Sequence, residues 1–296
     1  MKRLIVLAAL VVLAASCART GSGDLGPVEP ESSEPSPTQP TVTPEPTQSP
    51  SSQPTGDGTM TFEVWFASGE GYLFVTHRTE PASPRIGTAA VEALLAGPSA
   101  TERGADVGTA VPEGSQLLGL TVEDGLATVD LSREFESGGG SLSMMLRLAQ
   151  LTYTLTQFPT VDAVSLELDG KAIEVFSGEG LMVDHPMTRK AWDDLLPAIL
   201  VEQPGIGEQV SSPFTVVGSA DVFEATVSIS LLDAAGNEIV RTFTTATCGT
   251  GCRGTFEKTI RYEVPSTQTG TLRVYEASAE NGEPINVVEI PIVLSA

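Results

Sequence analysis

The residues with the most specific chemistry in this chain are three cysteines, Cys17, Cys248 and Cys252. Cys17 follows a short basic start and the unbroken apolar run from Leu4 to Ala15, with Ser16 between. A basic start, an apolar run and a small residue before a cysteine are typical of a lipoprotein signal peptide. The run is too short for a membrane-spanning helix, which needs about 20 apolar residues.

We therefore predict that residues 1–16 are a signal peptide and that Cys17 carries a lipid. A diacylglyceryl cysteine bears two acyl chains, which suffice for a stable membrane anchor. The predicted location is extracytoplasmic, on the outer face of the cell membrane. The alternative is ordinary secretion, with cleavage nearby and Cys17 as an incidental thiol.

Cys248 and Cys252 are separated by Gly-Thr-Gly, which can bend enough to bring the two Cα atoms within disulfide reach. Two cysteines in an exported protein usually pair, so we predict a disulfide that staples a loop. A zinc site would need two further ligands, and no other cysteine or histidine lies nearby in the sequence. A redox-active pair normally has two intervening residues and remains the weaker alternative.

The sequence contains few residues that could take part in acid–base or nucleophilic catalysis. His77 and His185 are the only histidines, and no Gly-x-Ser-x-Gly motif is present. We predict surface or packing roles for both histidines, with His77 at the end of an edge strand. Ser137–Ser141, before a predicted helix, could cradle an anion, but it lacks the lysine of a phosphate-binding loop, and a plain flexible loop is the simpler interpretation. No cofactor or metal is expected, and the chain is predicted not to be an enzyme.

The net charge of the chain limits the classes of molecule that it can bind. Sixteen basic and 38 acidic residues give a net charge of −22. Such a surface repels nucleic acid, so no nucleic-acid partner is expected.

The segment 17–58 has the composition of a disordered stalk. Between residues 18 and 58 it contains nine prolines and thirteen serines or threonines, with Leu25, Val28 and Val42 as its large apolar residues. Such a segment buries too little apolar surface to offset the entropy of ordering.

From residue 59 to 183 the sequence predicts an α+β domain, in which a small sheet packs against two helices. Alternating apolar runs indicate strand pairs around Glu123-Asp124-Gly125 and Asp169-Gly170. Thr88 is expected to cap one helix, which Gly97-Pro98 ends, and a longer helix is expected from Leu142 to Gln157. The predicted order is β-β-α-β-β-α-β-β.

A short connecting helix is predicted over residues 184–196, and an all-β domain over 197–296. Seven alternating runs in about 100 residues, separated by turns such as Ala234–Asn237 and Glu280–Glu283, are typical of an immunoglobulin-like β-sandwich.

Four segments of the α+β region resemble the hallmarks of the GerM-type (GerMN) sporulation and germination domain. They are Ala90–Pro98, Ala110–Gly114, Leu126–Ser132 and Leu151–Pro159. The resemblance implies an extracytoplasmic α+β module that takes part in an assembly between membranes in spore formers. None of the four segments contains a set of residues typical of a catalytic site, so they indicate a fold and not an activity.

Four further segments resemble the immunoglobulin-like domain that often follows GerM-type domains. They are Leu196–Glu202, Val210–Phe214, Val222–Thr226 and Arg273–Ser278. The two resemblances in tandem extend from Met60 to the end of the sequence.

The sequence thus favours a non-enzymatic, lipid-anchored envelope protein. Its expected partners are other envelope proteins or further copies of itself, the membrane through the lipid, and the cell wall as a further candidate. Exposed sheet edges offer routes to such contacts. The alternatives are a binding module for wall polymer or a small ligand, and a hydrolase whose catalytic carboxylates are not evident among the 38 acidic residues.

Overall fold

The computed structural model describes residues 58–178 and 180–296. The predicted signal peptide, Cys17 and nearly all of the predicted stalk lie outside these residues. No helix in the described ranges is long and apolar enough to cross a membrane.

The first folded region is mixed α/β, which confirms the predicted class. Its strands are β1 (Thr59–Ser68), β2 (Leu73–Pro81), β3 (Val107–Gly108), β4 (Leu117–Glu123), β5 (Leu126–Leu131), β6 (Ala163–Leu168), β7 (Lys171–Ala172), β8 (Val175–Phe176) and β9 (Leu181–Met182). Its helices are α1 (Ile86–Ala96), α2 (Ala100–Gly104) and α3 (Ser141–Leu155), with a short 3-10 helix at Arg133–Glu136. Compared with the predicted order, the structure adds α2, β3 and the β8–β9 hairpin.

The structure confirms the two turns that were predicted at Asp-Gly sequences. Asp124 and Gly125 join β4 to β5, and Asp169 and Gly170 join β6 to β7, all four with positive φ. Two consecutive left-handed residues match the right-handed twist of the flanking strands, and Asp-Gly tolerates them best. The Asp130 carboxylate also accepts a hydrogen bond of 2.8 Å from the Gly170 backbone N–H.

The predicted cap of the first helix is wrong. The helix begins at Ile86, so Thr88 lies inside its first turn, and Arg85 at the N-cap makes no side-chain capping bond. The helix does end at the predicted glycine, where Gly97 has a φ of +78° and its N–H bonds the Leu94 carbonyl. Burial of Ala90, Val91 and Leu94 outweighs a missing cap, which is worth about 1 kcal/mol.

The small sheet of the prediction is divided into two, ordered β2-β1-β3 and β4-β5-β6-β7, with β8 and β9 as a separate hairpin. The division follows from α3 and the residues just after it, whose polar side chains cover the edge of β1 that does not pair with β2. Gln157 bonds both the N–H and the carbonyl of Glu63, at 2.6 and 2.7 Å. The Trp65 N–H donates to Thr154 Oγ1, and the Trp65 carbonyl accepts from Gln150 Nε2. Because side chains take the place of a neighbouring strand, this edge cannot continue into β4.

The second region is all β, as predicted for an immunoglobulin-like sandwich. Its strands are β10 (Ile199–Gln203), β11 (Gln209–Val210), β12 (Phe214–Ala220), β13 (Thr226–Leu232), β14 (Glu238–Thr245), β15 (Gly254–Ile260), β16 (Gln268–Ala277) and β17 (Pro284–Leu294). They form a sheet ordered β10-β12-β15 and a second sheet ordered β11-β17-β16-β13-β14. Inward-facing residues such as Val216, Ile229 and Leu272 are fully buried between the sheets.

The segment that joins the two regions contains a 3-10 helix at Arg189–Leu195. Its Leu195 and partly buried Trp192 pack against side chains of β1, β2 and α3. The predicted connecting helix is therefore shorter than 184–196 and more tightly wound than an α-helix.

Candidate functional site

Among the predicted site residues, the structure describes only the later cysteine pair. Cys248 and Cys252 are joined in a disulfide with their Cα atoms 5.8 Å apart. Within the loop, the Thr250 N–H bonds the Val222 carbonyl and the Gly251 N–H bonds the Asp221 carboxylate at 2.8 Å. The disulfide loop is thus fastened to the segment that precedes β13.

That segment has an unusual backbone. Glu224, Ala225 and Thr250 all have positive φ, a conformation that non-glycine residues rarely adopt. Gly249 lies so close to it that an added Cβ would stand 2.5 Å from the Ala225 nitrogen. Position 249 of the disulfide loop therefore requires glycine. In the segment before β13, half of the surface of Phe223 is exposed.

Arg253, directly after the disulfide, links this loop to the start of β10. Its Nη2 donates to the Pro197 carbonyl at 2.6 Å, and its Nη1 lies 3.3 Å from Ser219 Oγ. Burial lowers the pKa of the Arg253 guanidinium, and the charges of Asp221, Asp193 and Glu202 oppose that shift.

Apolar side chains from both regions form one continuous contact. Leu200 of β10 is buried in the same cluster as Trp65, Leu73 and Tyr153 of the α+β region. The rings of Trp65 and Tyr153 pack at a tilt of 51° with their centroids 4.6 Å apart. The two regions therefore share a hydrophobic interface as well as the connecting segment.

A buried polar cluster borders this interface on the α+β side. Glu63 accepts a hydrogen bond of 2.9 Å from Trp65 Nε1 and lies 3.7 Å from Arg189. The Arg189 guanidinium lies over the rings of Trp65 and Tyr153 and donates to the Tyr153 carbonyl. Burial, together with the charge of Asp193, raises the pKa of Tyr153 to about 12, so its phenol stays neutral.

Glu202 of β10 approaches this cluster from the sandwich side. Burial, and then the negative charge of Glu63, raises the pKa of Glu202 to about 7, while Arg189 and Arg253 oppose the shift. A carboxyl group that titrates near neutral pH is a marker of functional sites, although structural clusters produce it too. This group lies where the two regions meet.

His77 lies at a second point of the same contact. The structure places it in the middle of β2, rather than at the strand end as predicted, and both of its ring nitrogens are buried without a hydrogen bond to any described residue. Gly205 covers the ring so closely that an added Cβ would stand 3.1 Å from Nδ1. Burial lowers the pKa of His77, opposed by the charges of Glu63 and Glu208. The packing role proposed for this histidine fits its position.

His185 and the glycine-rich loop do not contribute to this site. His185 is exposed and pairs with Asp184 at 2.9 Å, which raises the pKa of the imidazole. In the loop before α3, the carbonyls of Ser137 and Gly138 accept hydrogen bonds from the buried Arg147 guanidinium. A buried cation thus holds this loop through its carbonyl groups.

A groove of about 540 Å³ opens where the two regions meet, which we call the interdomain groove. One wall consists of β-sandwich residues, including Ile199, Val201 and Val287. The opposite wall comes from the β1–β2 turn, the start of β2 and the residues after α2, including Phe74 of β2 and Asp106. Over residues 58–178 and 180–296, no group of three or more His, Cys, Asp or Glu side chains has metal-binding geometry. The arrangement is suited to binding through apolar and backbone contacts.

Together, the α+β region and the sandwich define a two-domain protein of the sporulation and germination type. Residues 63–174 match the family described as sporulation and spore germination (Germane). Residues 198–283 match the immunoglobulin-like domain of bacterial spore germination (Gmad2). The chain therefore contains a Germane domain followed by a Gmad2 domain, as the sequence resemblance predicted.

Solved structures with similar folds include the first GerMN domain of the sporulation protein GerM from Bacillus subtilis, at 20% identity over 44% of this chain and 98% of that one, with a TM-score of 0.39. The tandem GerMN domains of the same protein match at 16% identity over 68% of this chain and 61% of that one, with a TM-score of 0.39. A putative lipoprotein from Clostridium perfringens matches at 18% identity over 46% and 91%, with a TM-score of 0.34. These TM-scores are too low to support further argument. A comparison with curated proteins finds no match.

Sequence reasoning missed the residues that build the domain contact. Glu63, Arg189 and Glu202 belong to three separate elements, and nothing in their local sequence distinguishes them from surface charges. The one available signal was the alternation of β1, which places Glu63 on the same face as Trp65.

Proposed function

We propose that this protein is anchored through a lipid on Cys17 to the outer face of the cell membrane and acts there by binding other proteins rather than by catalysis. Its setting would be sporulation, germination or a related cell-wall process. The observation that carries the proposal is the tandem of a Germane and a Gmad2 domain, since the descriptions of both families name spore germination. Neither family is described as an enzyme.

The geometry of the domain contact supports a binding role. The polar groups beside the contact are engaged with one another, as in the Trp65–Glu63 and Arg189–Tyr153 hydrogen bonds. A nucleophile beside a histidine held by a carboxylate would be expected in a hydrolase of the triad type. His77, the buried histidine, instead lies beneath Gly205 with neither nitrogen bonded to a described residue.

The binding part of the proposal is tested by crosslinking in intact cells that produce the tagged full chain. We expect at least one protein partner to be recovered reproducibly and to be lost when crosslinker is omitted. Repeated recovery of no protein partner would overturn the binding role.

The anchoring part is tested with Cys17→Ala, using Cys17→Ser as a second variant without a lipidation site. Both should appear in the medium instead of the membrane fraction. If the released protein still supports the wild-type phenotype, the lipid serves only to retain it. If both variants remain in the membrane fraction, lipid anchoring through Cys17 is wrong.

A further inference from the structure

Strand β17 has one open edge. It pairs with β16 along one side, whereas on its other side β11 reaches only Val293 and Leu294. The Gly207 N–H bonds the Pro291 carbonyl at 2.7 Å, and the Val293 N–H bonds the Glu208 carbonyl. These bonds close the outer edge from Pro291 onward. From Pro284 to Ile290, no strand of the described residues pairs with it.

The backbone groups that face this open edge can be assigned. In an antiparallel strand, alternate residues point their N–H and C=O groups to the same side. Because Pro291 and Val293 bond outward, Glu289 faces outward too, and Val287 follows it as one of the two residues that bulge opposite Tyr275. Asn286, with a φ of +51°, marks the bulge at which the pairing with β16 shifts register.

Two other edges of the protein are protected. Side chains of α3 cover β1, and on the far side of the sandwich the Thr247 N–H and Thr244 hydroxyl bond the carbonyls of Thr255 and Glu257 across the two sheets. Open edges are usually protected by lysine, proline or a covering element, because they template pairing with another chain. β17 has a proline at each end of its open stretch and a bulge at Asn286, and between the prolines it still presents Ile285 and Val287, each more than two fifths exposed.

The open edge borders the interdomain groove, and so does the outer edge of β10, which pairs only with β12. A volume of about 540 Å³ lies within the range of ligand-binding clefts, roughly 300 to 1,000 Å³. The groove is lined by apolar side chains such as Phe74 and Ile199, and by the carboxylates of Glu70 and Asp106, with no lysine, arginine or histidine in the lining. The carboxylate of Glu289 also lines it and is paired with Arg273 of β16 at 2.7 Å.

We propose that the open edge of β17 and the interdomain groove form a docking site for an extended segment of a partner protein, with alternating apolar residues and at least one flanking lysine or arginine. The segment adds as a strand to Val287 and Glu289 and places alternate side chains in the groove. The acidic lining selects basic flanks. A second copy of this chain fits poorly, because two chains of net charge −22 repel each other. This inference rests on the proposed protein-binding function and names the surface and the chemistry of the partner.

The test selects binders of the immobilised full chain from a displayed library of random ten-residue peptides. We expect the enriched peptides to be net positive and to alternate in apolar residues. A synthetic copy of the best one should slow amide hydrogen exchange at Val287 and Glu289. Val287→Lys should weaken its binding about ten-fold or more, by placing a charge on the edge and repelling the basic flanks.

The matched control is Val122→Lys on β4, the outer strand of the other sheet, since the exposure of Val122 (43%) is close to that of Val287 (45%). It should change the affinity by less than about two-fold. A second variant, Glu70→Gln with Asp106→Asn, leaves β17 intact and should weaken binding by removing charge alone. Far-UV circular dichroism checks that each variant folds.

The proposal is overturned if no peptide is enriched, if the enriched peptides are acidic, or if protection falls outside β17. It also fails if Val122→Lys, and not Val287→Lys, weakens binding. A partner recovered by crosslinking that binds Val287→Lys as well as wild type would overturn this site and leave the protein-binding function standing. Absence of any crosslinked partner would overturn the function itself, whatever the peptides show.

Discussion

Arg147 shows how much one buried charge contributes to the Germane domain. It is almost completely buried in α3, and its guanidinium donates to the carbonyls of Ala110, Phe135, Ser137 and Gly138. Two of these carbonyls lie in the glycine-rich loop before the helix. A single arginine thus fixes a loop whose sequence alone indicates flexibility.

We expect Arg147→Met to lower the free energy of unfolding by about 2–4 kcal/mol, because buried carbonyls lose their donors. Urea denaturation followed by tryptophan fluorescence measures the change. The control is Arg133→Met, which breaks only exposed ion pairs with Glu136 and Asp169 and should cost less than about 1 kcal/mol. Equal effects of the two substitutions would contradict the role assigned to Arg147.

Glu202 makes the stability depend on pH. Burial beside Glu63 raises its pKa to about 7 in the folded state, above its ordinary value of 4.5. The folded state therefore keeps this proton to a higher pH than the unfolded state does. The resulting stabilisation is complete below about pH 4.5 and is lost as the pH rises to about 7.

Glu202→Gln should remove this dependence. Between pH 5 and pH 8, the free energy of unfolding of the variant should gain about 2 kcal/mol relative to wild type. Urea denaturation at both pH values measures the difference. Glu202→Asp keeps a carboxyl group and should retain a slope of the wild-type sign. Parallel pH profiles for wild type and Glu202→Gln would show that Glu202 is not perturbed by the contact.

At the scale of elements, α3 serves as a helix and as the substitute for a strand. Its Gln150 and Thr154 are completely buried, which is unusual for polar helix residues unless they have partners. Their partners are the backbone groups of Trp65 on the outer edge of β1. This explains why Leu151–Pro159 combines apolar residues with Thr154 and Gln157.

Thr154→Val keeps the shape of the side chain and leaves the Trp65 N–H without its acceptor. We expect a loss of about 1–3 kcal/mol in the free energy of unfolding, the cost of a buried donor left unsatisfied. Thermal and urea denaturation measure it. Thr160→Val replaces an exposed threonine just after the helix and should stay within about 0.5 kcal/mol of wild type. If Thr154→Val were equally neutral, the edge of β1 would not depend on this bond.

At the scale of the whole molecule, the two domains are coupled by their shared apolar contact. Leu200 of the sandwich is buried among Trp65, Leu73 and Tyr153, whereas Leu231 is buried wholly within the sandwich core. Both tryptophans, Trp65 and Trp192, lie before the sandwich. Tryptophan fluorescence therefore reports on the first domain, and far-UV circular dichroism on both.

We expect wild type to unfold with coincident fluorescence and dichroism transitions. Leu200→Ala should separate them, because it removes contact between the domains and leaves a cavity worth about 2–4 kcal/mol. The matched control, Leu231→Ala, should destabilise the protein by a similar amount while the two signals remain coincident. Separation in the control, or coincidence in Leu200→Ala, would contradict coupling through Leu200.

Much of each domain could be predicted from sequence, because local rules determine it. The Asp-Gly turns, the stop at Gly97 and the alternating runs of the sandwich all follow from backbone preference and side-chain period. Thr88 was assigned wrongly because the burial of Ala90, Val91 and Leu94 stabilises a helix that begins two residues earlier, at Ile86, without a side-chain cap. The division of the first sheet escaped prediction because it depends on side chains of α3 about 90 residues along the chain from β1.

The sequence by itself determined the α+β and immunoglobulin-like fold classes and the family resemblance of each domain. Hydrophobic periodicity and turn residues depend only on short stretches of the chain, so they can be recognised without the tertiary structure. Tertiary structure alone decided the domain contact: Glu202 facing Glu63, His77 beneath Gly205, and the groove beside β17. These features join residues that are distant in the chain. The pKa shifts and the groove arise from burial and from neighbours at the contact, and neither exists until both domains have folded against each other.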